Sequence, residues 1–480
     1  MVDTSSIQAI TRHSEMDWSR IEALLNRHQA HGPRYTSYPT APHFSRSFGQ
    51  EAYQEALRAS NEELVPKPLS LYLHIPFCHS LCYYCGCNKI VTPDLDKGRA
   101  YLEELYQEIA LRSQGFARDR LVRQIHFGGG TPNFLRPHQL REVLDTLARN
   151  FHFDLPQEME LGIEIDPRWV SPEDIRELAG YGFNRMSFGI QDFDADVQRA
   201  VNRLQSFEDV RQLIEMARAC HVPSVSVDLI YGLPRQSLDS FKKTLNQVIE
   251  LAPDRVSLYS YAHMPDKIKS QRFIRDEDLL KGSDKLGLFL MALKHFGDAG
   301  YEYIGMDHFA RPDDPLVAAK EEGSLQRNFQ GYSTHGGCDI VGMGVSAISR
   351  IGDAYSQNES NLSAYQNAIS QGALPIERGV ALNRDDRIRE QAIQSIMCRG
   401  ELDLLSLGRH FDMDAKAYFA KEWQQLLSLE HEGLLTLSEE GLMATETGSL
   451  FLRNIAMVFD AYSPQQQVSF KGRPLFSTTV

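Results

Sequence analysis

The sequence predicts an α/β fold: an incomplete barrel of six βα units, with an N-terminal extension and a smaller, mostly helical C-terminal unit. Three observations predict it. β-rich runs at 71–75, 123–127, 159–165, 184–190, 224–230 and 255–260 alternate with helical segments at 99–113, 137–150, 172–181, 206–219 and 238–250, the pattern of parallel strands joined by crossover helices. Chemistry-bearing residues follow those runs. Cys78 onward follows the first, Gly128-Gly129-Gly130-Thr131-Pro132 the second, Glu164 and Asp166 end the third, Gln191 follows the fourth, and Tyr231-Gly232-Leu233-Pro234 the fifth. Barrels of the TIM type gather such residues at the C-terminal ends of their strands. Finally, from about residue 384 the alternation gives way to helices at 385–398, 402–411 and 414–431.

Residues 1–69 are polar and irregular, include Gly32-Pro33-Arg34-Tyr35-Thr36-Ser37-Tyr38-Pro39-Thr40, and have too little periodicity for a core of their own. They are expected to pack over the barrel mouth. Residues 70–380 form the barrel and its additions. Ser171-Pro172-Glu173-Asp174 opens one helix with an N-cap and a proline at the first turn, 280–299 is a further helix, and 300–380 is Gly-rich and less regular. Residues 381–480 form the C-terminal unit, whose helices precede a hairpin, Gly433–Leu437 then Glu440–Thr445, and a last helix at 447–460. Helices followed by a two-stranded wing resemble a winged-helix unit. Against the chain's acidic balance it reads as a lid or docking module rather than a DNA reader.

Of 480 residues, 42% are hydrophobic and 24% charged, fractions that exclude a collagen, a disordered tail and a membrane protein. The net charge of −14 argues against nonspecific binding to nucleic acid or an acidic membrane. An anionic substrate must therefore be captured by local basic groups. The start, MVDTSSIQAITRHSE, has no apolar stretch of a signal peptide, and no run approaches the roughly 18 apolar residues of a membrane span. A cytoplasmic location with reduced thiols is expected.

Four of the seven cysteines, Cys78, Cys82, Cys85 and Cys87, fall within ten residues, leaving Cys220, Cys338 and Cys398 elsewhere. An odd total with one tight cluster is not a secreted disulfide framework. The run is C-x3-C-x2-C-x-C. A structural zinc site usually pairs two knuckles across a longer loop, and no second pair exists here. A thioredoxin-like motif would use Cys82 and Cys85 and leave Cys78 idle. A chance set of buried thiols is the bland reading. An iron–sulfur cluster accounts for three of them: thiolates suit iron, and a tight loop can wrap three corners of a cubane, leaving one iron open.

C-x3-C-x2-C directly after a first strand resembles the signature of the radical S-adenosylmethionine (SAM) superfamily. The resemblance implies that the open iron of one [4Fe–4S] cluster chelates the amino and carboxylate groups of SAM. One electron then splits the sulfonium bond and gives a 5′-deoxyadenosyl radical. It also implies a SAM-binding turn at Gly128-Gly129-Gly130-Thr131, where bare glycines let backbone N–H groups approach a carboxylate. Alone, three glycines make a tight turn just as readily.

The added Cys87, in Cys85-Gly86-Cys87-Asn88-Lys89, is similar to the family of oxygen-independent coproporphyrinogen III oxidases (coproporphyrinogen dehydrogenases). So are Pro33–Thr40, Tyr231–Pro234, Ile304–Pro312, Asn328–Tyr332 and Gly342–Ile348, and the likeness covers nearly the whole chain. One departure is Thr334-His335-Gly336-Gly337-Cys338-Asp339, which puts substrate contacts there in question. The resemblance implies oxidative decarboxylation of two propionates of coproporphyrinogen III to vinyl groups, giving protoporphyrinogen IX. Two SAM are bound at once and consumed per product, and a separate electron donor and electron acceptor are needed.

Carried onto this chain, Cys78, Cys82 and Cys85 match the cluster ligands. Tyr72, Gly129, Glu164 and Ile348 match contacts of a first SAM; Tyr84, Gly130, Thr131, Gln191, Arg203, Asp228 and Ala262 match those of a second. Cys87, Tyr72 and Glu164 are the catalytic candidates, with Cys87 functional but noncoordinating. Carboxylates accept from an ammonium or a ribose, and Arg203 can grip a carboxylate. Each has a plainer reading: Arg203 a solvated helix residue, Asp228 a strand-end cap, Tyr72 a packing aromatic, Cys87 a buried thiol. Arg34, Lys89, Arg235, Arg272 and Arg311 are candidates for the substrate's carboxylates. Competing readings are a heme chaperone of the same superfamily, a heme-opening radical SAM methyltransferase, and an iron–sulfur electron carrier. A monomer without nucleic-acid or membrane partners is expected.

Overall fold

The computed structural model describes residues 17–462, so expectations for residues 1–16 and 463–480 lie outside the described residues. Its centre is six parallel strands, β1 (Leu69–Ile75), β2 (Leu121–Gly129), β3 (Glu160–Ile165), β4 (Arg185–Gln191), β5 (Ser224–Tyr231) and β6 (Arg255–Ser260), hydrogen-bonded side by side in that order. Helices Asp96–Ser113, Pro137–Asn150, Pro172–Gly180, Phe207–Ala219 and Leu238–Leu251 connect them.

Side chains alternate along each strand. One set, including Leu71, Leu73, Ile125, Phe127, Ile163, Met186, Phe188, Val225, Val227, Val256 and Leu258, is fully buried with helix residues such as Leu105, Val143 and Leu245. Each such side chain contributes about 1.5–3 kcal/mol on burial. The other set includes His126, Glu164, Ser187, Asp228 and Ser257, which line an inner cavity. A TIM barrel fills this space with branched apolar side chains; here it is polar and open.

Asp339–Met343 pairs parallel with the free side of β1, and Ile348–Ile351, Ala354–Asn358 and Ile376–Ala381 extend the sheet antiparallel. At the other end His308–Ala310 pairs with β6 and Glu302–Gly305 with His308–Ala310. Among the described residues the two edges do not meet, so the barrel is incomplete, as the sequence predicts. The segment 300–380, Gly-rich and less regular in sequence, holds several short strands. They are punctuated by Gly305, Gly331, Gly344 and Gly352 at positive φ, and Asp339 pairs with Leu69, far off in sequence.

The N-terminal region holds two helices, Trp18–Arg27 and Gln50–Asn61, where the sequence read as irregular. The second packs on the strands of 348–381. Between them Tyr35 donates to Asp460 (3.0 Å) and Pro33 O accepts from Arg453 Nε (3.1 Å). Arg34 meets Asp307 at 2.6 Å and lies over the Tyr259 ring. A buried ion pair, Glu108–Arg112 (2.7 Å), locks this assembly: Arg112 also donates to Tyr53 and Asn358, and Glu108 accepts from Gly344 N (2.7 Å).

The C-terminal helices Arg384–Arg399, Leu404–Phe411, Ala415–Tyr418 and Ala420–His431 accompany a small sheet. Its hairpin, Leu435–Leu437 and Gly441–Ala444, gains a third strand, Glu401–Asp403, beside Gly441–Ala444, because Leu402 is buried there between two outward acids. No helix among the described residues is long and apolar enough to cross a membrane.

Candidate active site

The chain leaves β1 through Pro76 into the cysteine loop. Phe77–Cys78 pairs with Ile90–Val91 and closes the loop at its base, with Ile90 N donating to Pro76 O (2.7 Å) and Thr92 N to Cys78 O (3.0 Å). Inside the loop Lys89 Nζ donates to Cys85 O (2.7 Å), Tyr83 N to Val201 O (3.0 Å) and Asn202 Nδ2 to Leu81 O (2.8 Å). Cys78 and Cys82 are buried, Cys85 is half-buried, and Cys87 is exposed. Burial pushes the Cys78 thiol up to about 11. A hydrogen bond from Cys87, with Lys89 beside it, brings Cys85 down to about 6 although burial opposes it.

Donors converge on the sulfurs. Thr131 Oγ1 donates to Cys78 Sγ (3.3 Å), and Arg168 Nη2 and Arg203 Nη1 to Cys82 Sγ (3.4 and 3.5 Å). Burial works against the Asp166 charge, yet Arg203 and Arg168 hold its carboxyl below its ordinary value through contacts of 3.1 and 2.6 Å. A side chain at Gly189 would meet both Gln191 Nε2 and Arg203 Nη2, so the structure brings Gln191 and Arg203 together. Gln271 Nε2 bonds Tyr84 O and Ala262 O (2.9 and 3.0 Å), joining those two.

The glycine turn stands opposite. Gly130 N donates to Ile75 O (2.8 Å), and a Cβ on Gly130 would lie 2.6 Å from Pro76 O. Gly129 has φ +119 with the His74 ring against it, a conformation open to glycine. Its N–H points at Glu164 Oε2 (3.3 Å), the side chain of a second predicted site residue. Tyr72 stacks on His126 (6.2 Å), and burial and Glu164 hold its phenol well above the ordinary value. Ile348 lies over Gly342, which pairs with Tyr72. Burial and Glu164 raise Asp228 to about 6, and Ser187 donates to it (3.3 Å).

Beyond Glu164 and Asp228 the inner cavity is lined by Arg185, Arg255, His308 and Gln330; the last two lie in motif segments without having been picked out as site residues, and the two arginines lie in none. The strand pattern carried the signal: Arg185-Met186-Ser187-Phe188 and Arg255-Val256-Ser257-Leu258 alternate polar with apolar. Of the basic candidates, Arg34 points inward to Asp307 and Lys89 holds the loop, whereas Arg235 and Arg311 pair with Asp278 and Asp313 at the surface, and Arg272 donates to Pro265 O. The divergent 334–339 segment leads into the residue paired with the first of β1, about 20 Å along that strand from the cysteine end. Its His335 faces Glu160 at 3.9 Å.

These residues fit a cluster and its SAM. No group of three His, Cys, Asp or Glu among the described residues could hold a single metal ion, whereas three thiols spaced along one wrapped loop suit the wider corners of a cubane. Hydrogen-bond donors at ligand sulfurs are the kind of support such clusters use. Arg203 Nε is buried without a partner, a vacancy for an anion beside the loop.

Residues 72–248 match the radical SAM superfamily and residues 382–451 the HemN C-terminal domain. The chain is 47% identical to the oxygen-independent coproporphyrinogen III oxidase of Pseudomonas aeruginosa over 444 residues, 92% of this chain and 95% of the relative. It is 45% identical to the Escherichia coli enzyme over 452 residues, 94% and 97% of the two chains. A solved structure of coproporphyrinogen III oxidase (HemN) from Escherichia coli, a radical SAM enzyme, matches with a TM-score of 0.86 at 46% identity, covering 89% of this chain and 97% of that one. With a cysteine loop, glycine turn and carboxylates gathered at one barrel mouth, and relatives that span almost all of it, the chain belongs to the oxygen-independent coproporphyrinogen III oxidases of the radical SAM superfamily.

Proposed function

We propose that this protein converts two propionate side chains of coproporphyrinogen III to vinyl groups without oxygen, giving protoporphyrinogen IX in heme biosynthesis. The observation that carries the reading is the barrel mouth, where one glycine turn meets both the cysteine loop, through Thr131 and Cys78, and Glu164, which lines a polar cavity, in a chain related along more than nine-tenths of its length to enzymes of that name. When bound, the [4Fe–4S] cluster supplies the electron that splits SAM into methionine and a 5′-deoxyadenosyl radical. Each propionate gives up a hydrogen atom from its β-carbon and CO2, and one electron passes to an acceptor.

Cys78, Cys82 and Cys85 would hold three irons, and Cys78, with its raised thiol, must release a proton when the cluster is built. Tyr72, Gly129, Glu164 and Ile348 receive one SAM, with Glu164 accepting from its ammonium. Tyr84, Gly130, Thr131, Gln191, Arg203, Asp228 and Ala262 receive a second, with Arg203 holding its carboxylate. Cys87 stays off the cluster, beside Cys85. The N-terminal segment, through Arg34, helps close the mouth and exclude water from a reactive intermediate. The protein works as a cytoplasmic monomer, with a reductant and a separate acceptor as its partners and no nucleic acid or membrane.

The test is an anaerobic assay of reconstituted protein with SAM, a low-potential reductant, cell extract as acceptor and coproporphyrinogen III. Protoporphyrin with about two 5′-deoxyadenosines per product, lost in Cys82→Ser, is expected from the stoichiometry above. SAM cleavage without a decarboxylated porphyrin would rule this substrate out.

A further inference from the structure

The inner cavity that Glu164 and Asp228 line also carries buried polar side-chain atoms without partners. Arg255 Nη1, His308 Nδ1 and Gln330 Nε2 all belong to residues lining that one cavity, and all three atoms are buried with no partner. Arg327 Nη1 is in the same condition, and its guanidinium lies 4.8 Å over the ring of Tyr332, which lines the cavity too. Arg255, Arg327 and His308 are 5%, 4% and 9% exposed.

Pair by pair, one guanidinium of this cavity wall is left without a carboxylate partner among the described residues. Arg185 is matched by Glu160 (3.0 Å), Arg255 by Asp314 through Nε alone (2.7 Å), and Arg34 by Asp307. Arg327 donates Nε to the Arg34 carbonyl, a neutral acceptor (3.0 Å), and no carboxylate pairs with it among the described residues. Burial and the guanidiniums of Arg327, Arg185, Arg34 and Arg255 hold His308 well below its ordinary value, a mark of positive potential at that spot. A buried donor left unsatisfied costs about 1–3 kcal/mol. Native interiors hold few of them, so several on one cavity wall mark a place where an anion with several acceptor oxygens belongs.

We propose that Arg255, His308, Gln330 and Arg327 form a carboxylate subsite that holds a propionate of the porphyrinogen not undergoing reaction, and thereby selects which propionate faces the cysteine loop. The assignment rests on the functional reading above. It places the recognition of the substrate's negative charge inside the barrel, in a chain of net charge −14, and not at the surface arginines near the motifs. A carboxylate is also carried by the methionyl end of SAM, so the test must separate the two sources.

Two variants of the full-length, cluster-loaded protein do so. Gln330→Glu places a carboxylate on the same wall without removing any hydrogen bond made by Nε2, and neutralises the guanidiniums from within. Arg327→Gln removes the charge that has no carboxylate. Binding of coproporphyrin III, the unreactive tetracarboxylate, is followed by fluorescence; SAM binding is followed by uncoupled 5′-deoxyadenosine formation; stability is followed by thermal melting. In both variants the coproporphyrin Kd is expected to rise about ten- to a hundredfold, the equivalent of one charge-assisted contact, with SAM dependence unchanged. The melting temperature of Q330E is expected to hold or rise, which a merely structural residue would not show. Unchanged coproporphyrin affinity in both variants overturns the subsite. So does a loss in Q330E that tracks a fall in its melting temperature. Weakened SAM use with intact porphyrin binding would assign the wall to SAM and overturn the propionate. If the parent protein cleaves SAM but converts no coproporphyrinogen III in the assay above, the functional reading itself fails, and the subsite with it; if it converts coproporphyrinogen III but binds no coproporphyrin III, the same comparison is made on the KM for coproporphyrinogen III, and an unchanged KM in both variants overturns the subsite.

Discussion

Asp228→Asn is expected to stabilise the ligand-free protein above neutral pH. Asp228 lies among Ser187, Ser257 and Glu164, and burial lifts its carboxyl from the ordinary 3.8 to about 6. At about 1.4 kcal/mol per pH unit, that rise corresponds to about 3 kcal/mol. The sign follows from linkage. Between 3.8 and 6 the folded chain carries the proton and the unfolded chain does not, so this group's contribution is fully present below pH 3.8 and is lost as pH rises through 6. The amide of D228N keeps the neutral shape at every pH, and the serine hydroxyls can donate to it or accept from it. Relative to the parent, D228N should match near pH 4 and gain about 3 kcal/mol by pH 7.5. With an unfolding entropy of about 2.1 cal/mol/K per residue, this is a rise of about 3 °C in melting temperature for a chain of this length unfolding as one unit. Urea titrations and melting curves at pH 4 to 8 read it directly. A D228N protein less stable than its parent at pH 7.5, or a difference that does not change with pH, would refute the reasoning.

Other perturbations act at the cysteine loop and in the core. Gly130→Ala sets a methyl 2.6 Å from Pro76 O; it should lower stability by about 1–3 kcal/mol by overpacking and displace the turn enough to abolish SAM cleavage, measured as 5′-deoxyadenosine. Thr131→Val removes the hydroxyl that donates to Cys78 Sγ; a redox titration followed by EPR should find the cluster potential shifted to more negative values. Glu108→Gln leaves the buried Arg112 without its 2.7 Å charge partner and should destabilise the fold by about 3–5 kcal/mol in urea.

The six barrel strands are legible because each is a short apolar-alternating run closed by a turn. The run expected at 255–260 is the strand Arg255–Ser260, and that at 224–230 is Ser224–Tyr231. The flanking strands were not legible. Ile348–Ile351 and Asp339–Met343 are four and five residues long, and what makes them strands is β1 and its neighbours, reached only through tertiary pairing. At the site, residues next to motifs came together where the strand ends place them, as with Tyr72, Glu164 and the glycine turn. Arginines were harder. Arg235 and Arg311 stand beside motifs yet face solvent, whereas Arg185 and Arg255 open strands and point into the cavity. Nearness to a motif does not say which side of the sheet a residue occupies, but the two-residue alternation does. That alternation also reveals an unfilled, polar barrel, because a packed one would repeat apolar residues on both faces.

The central claim is that a hydrogen atom passes from the substrate's propionate to the 5′-deoxyadenosyl group in this protein's cavity. Coproporphyrinogen III deuterated at the propionate β-carbons, turned over anaerobically by the reconstituted protein, tests it most directly, with 5′-deoxyadenosine examined by mass spectrometry. Deuterium in the 5′-deoxyadenosine together with divinyl product, both absent in Cys82→Ser, is the result predicted here. Divinyl product accompanied by unlabelled 5′-deoxyadenosine would contradict it.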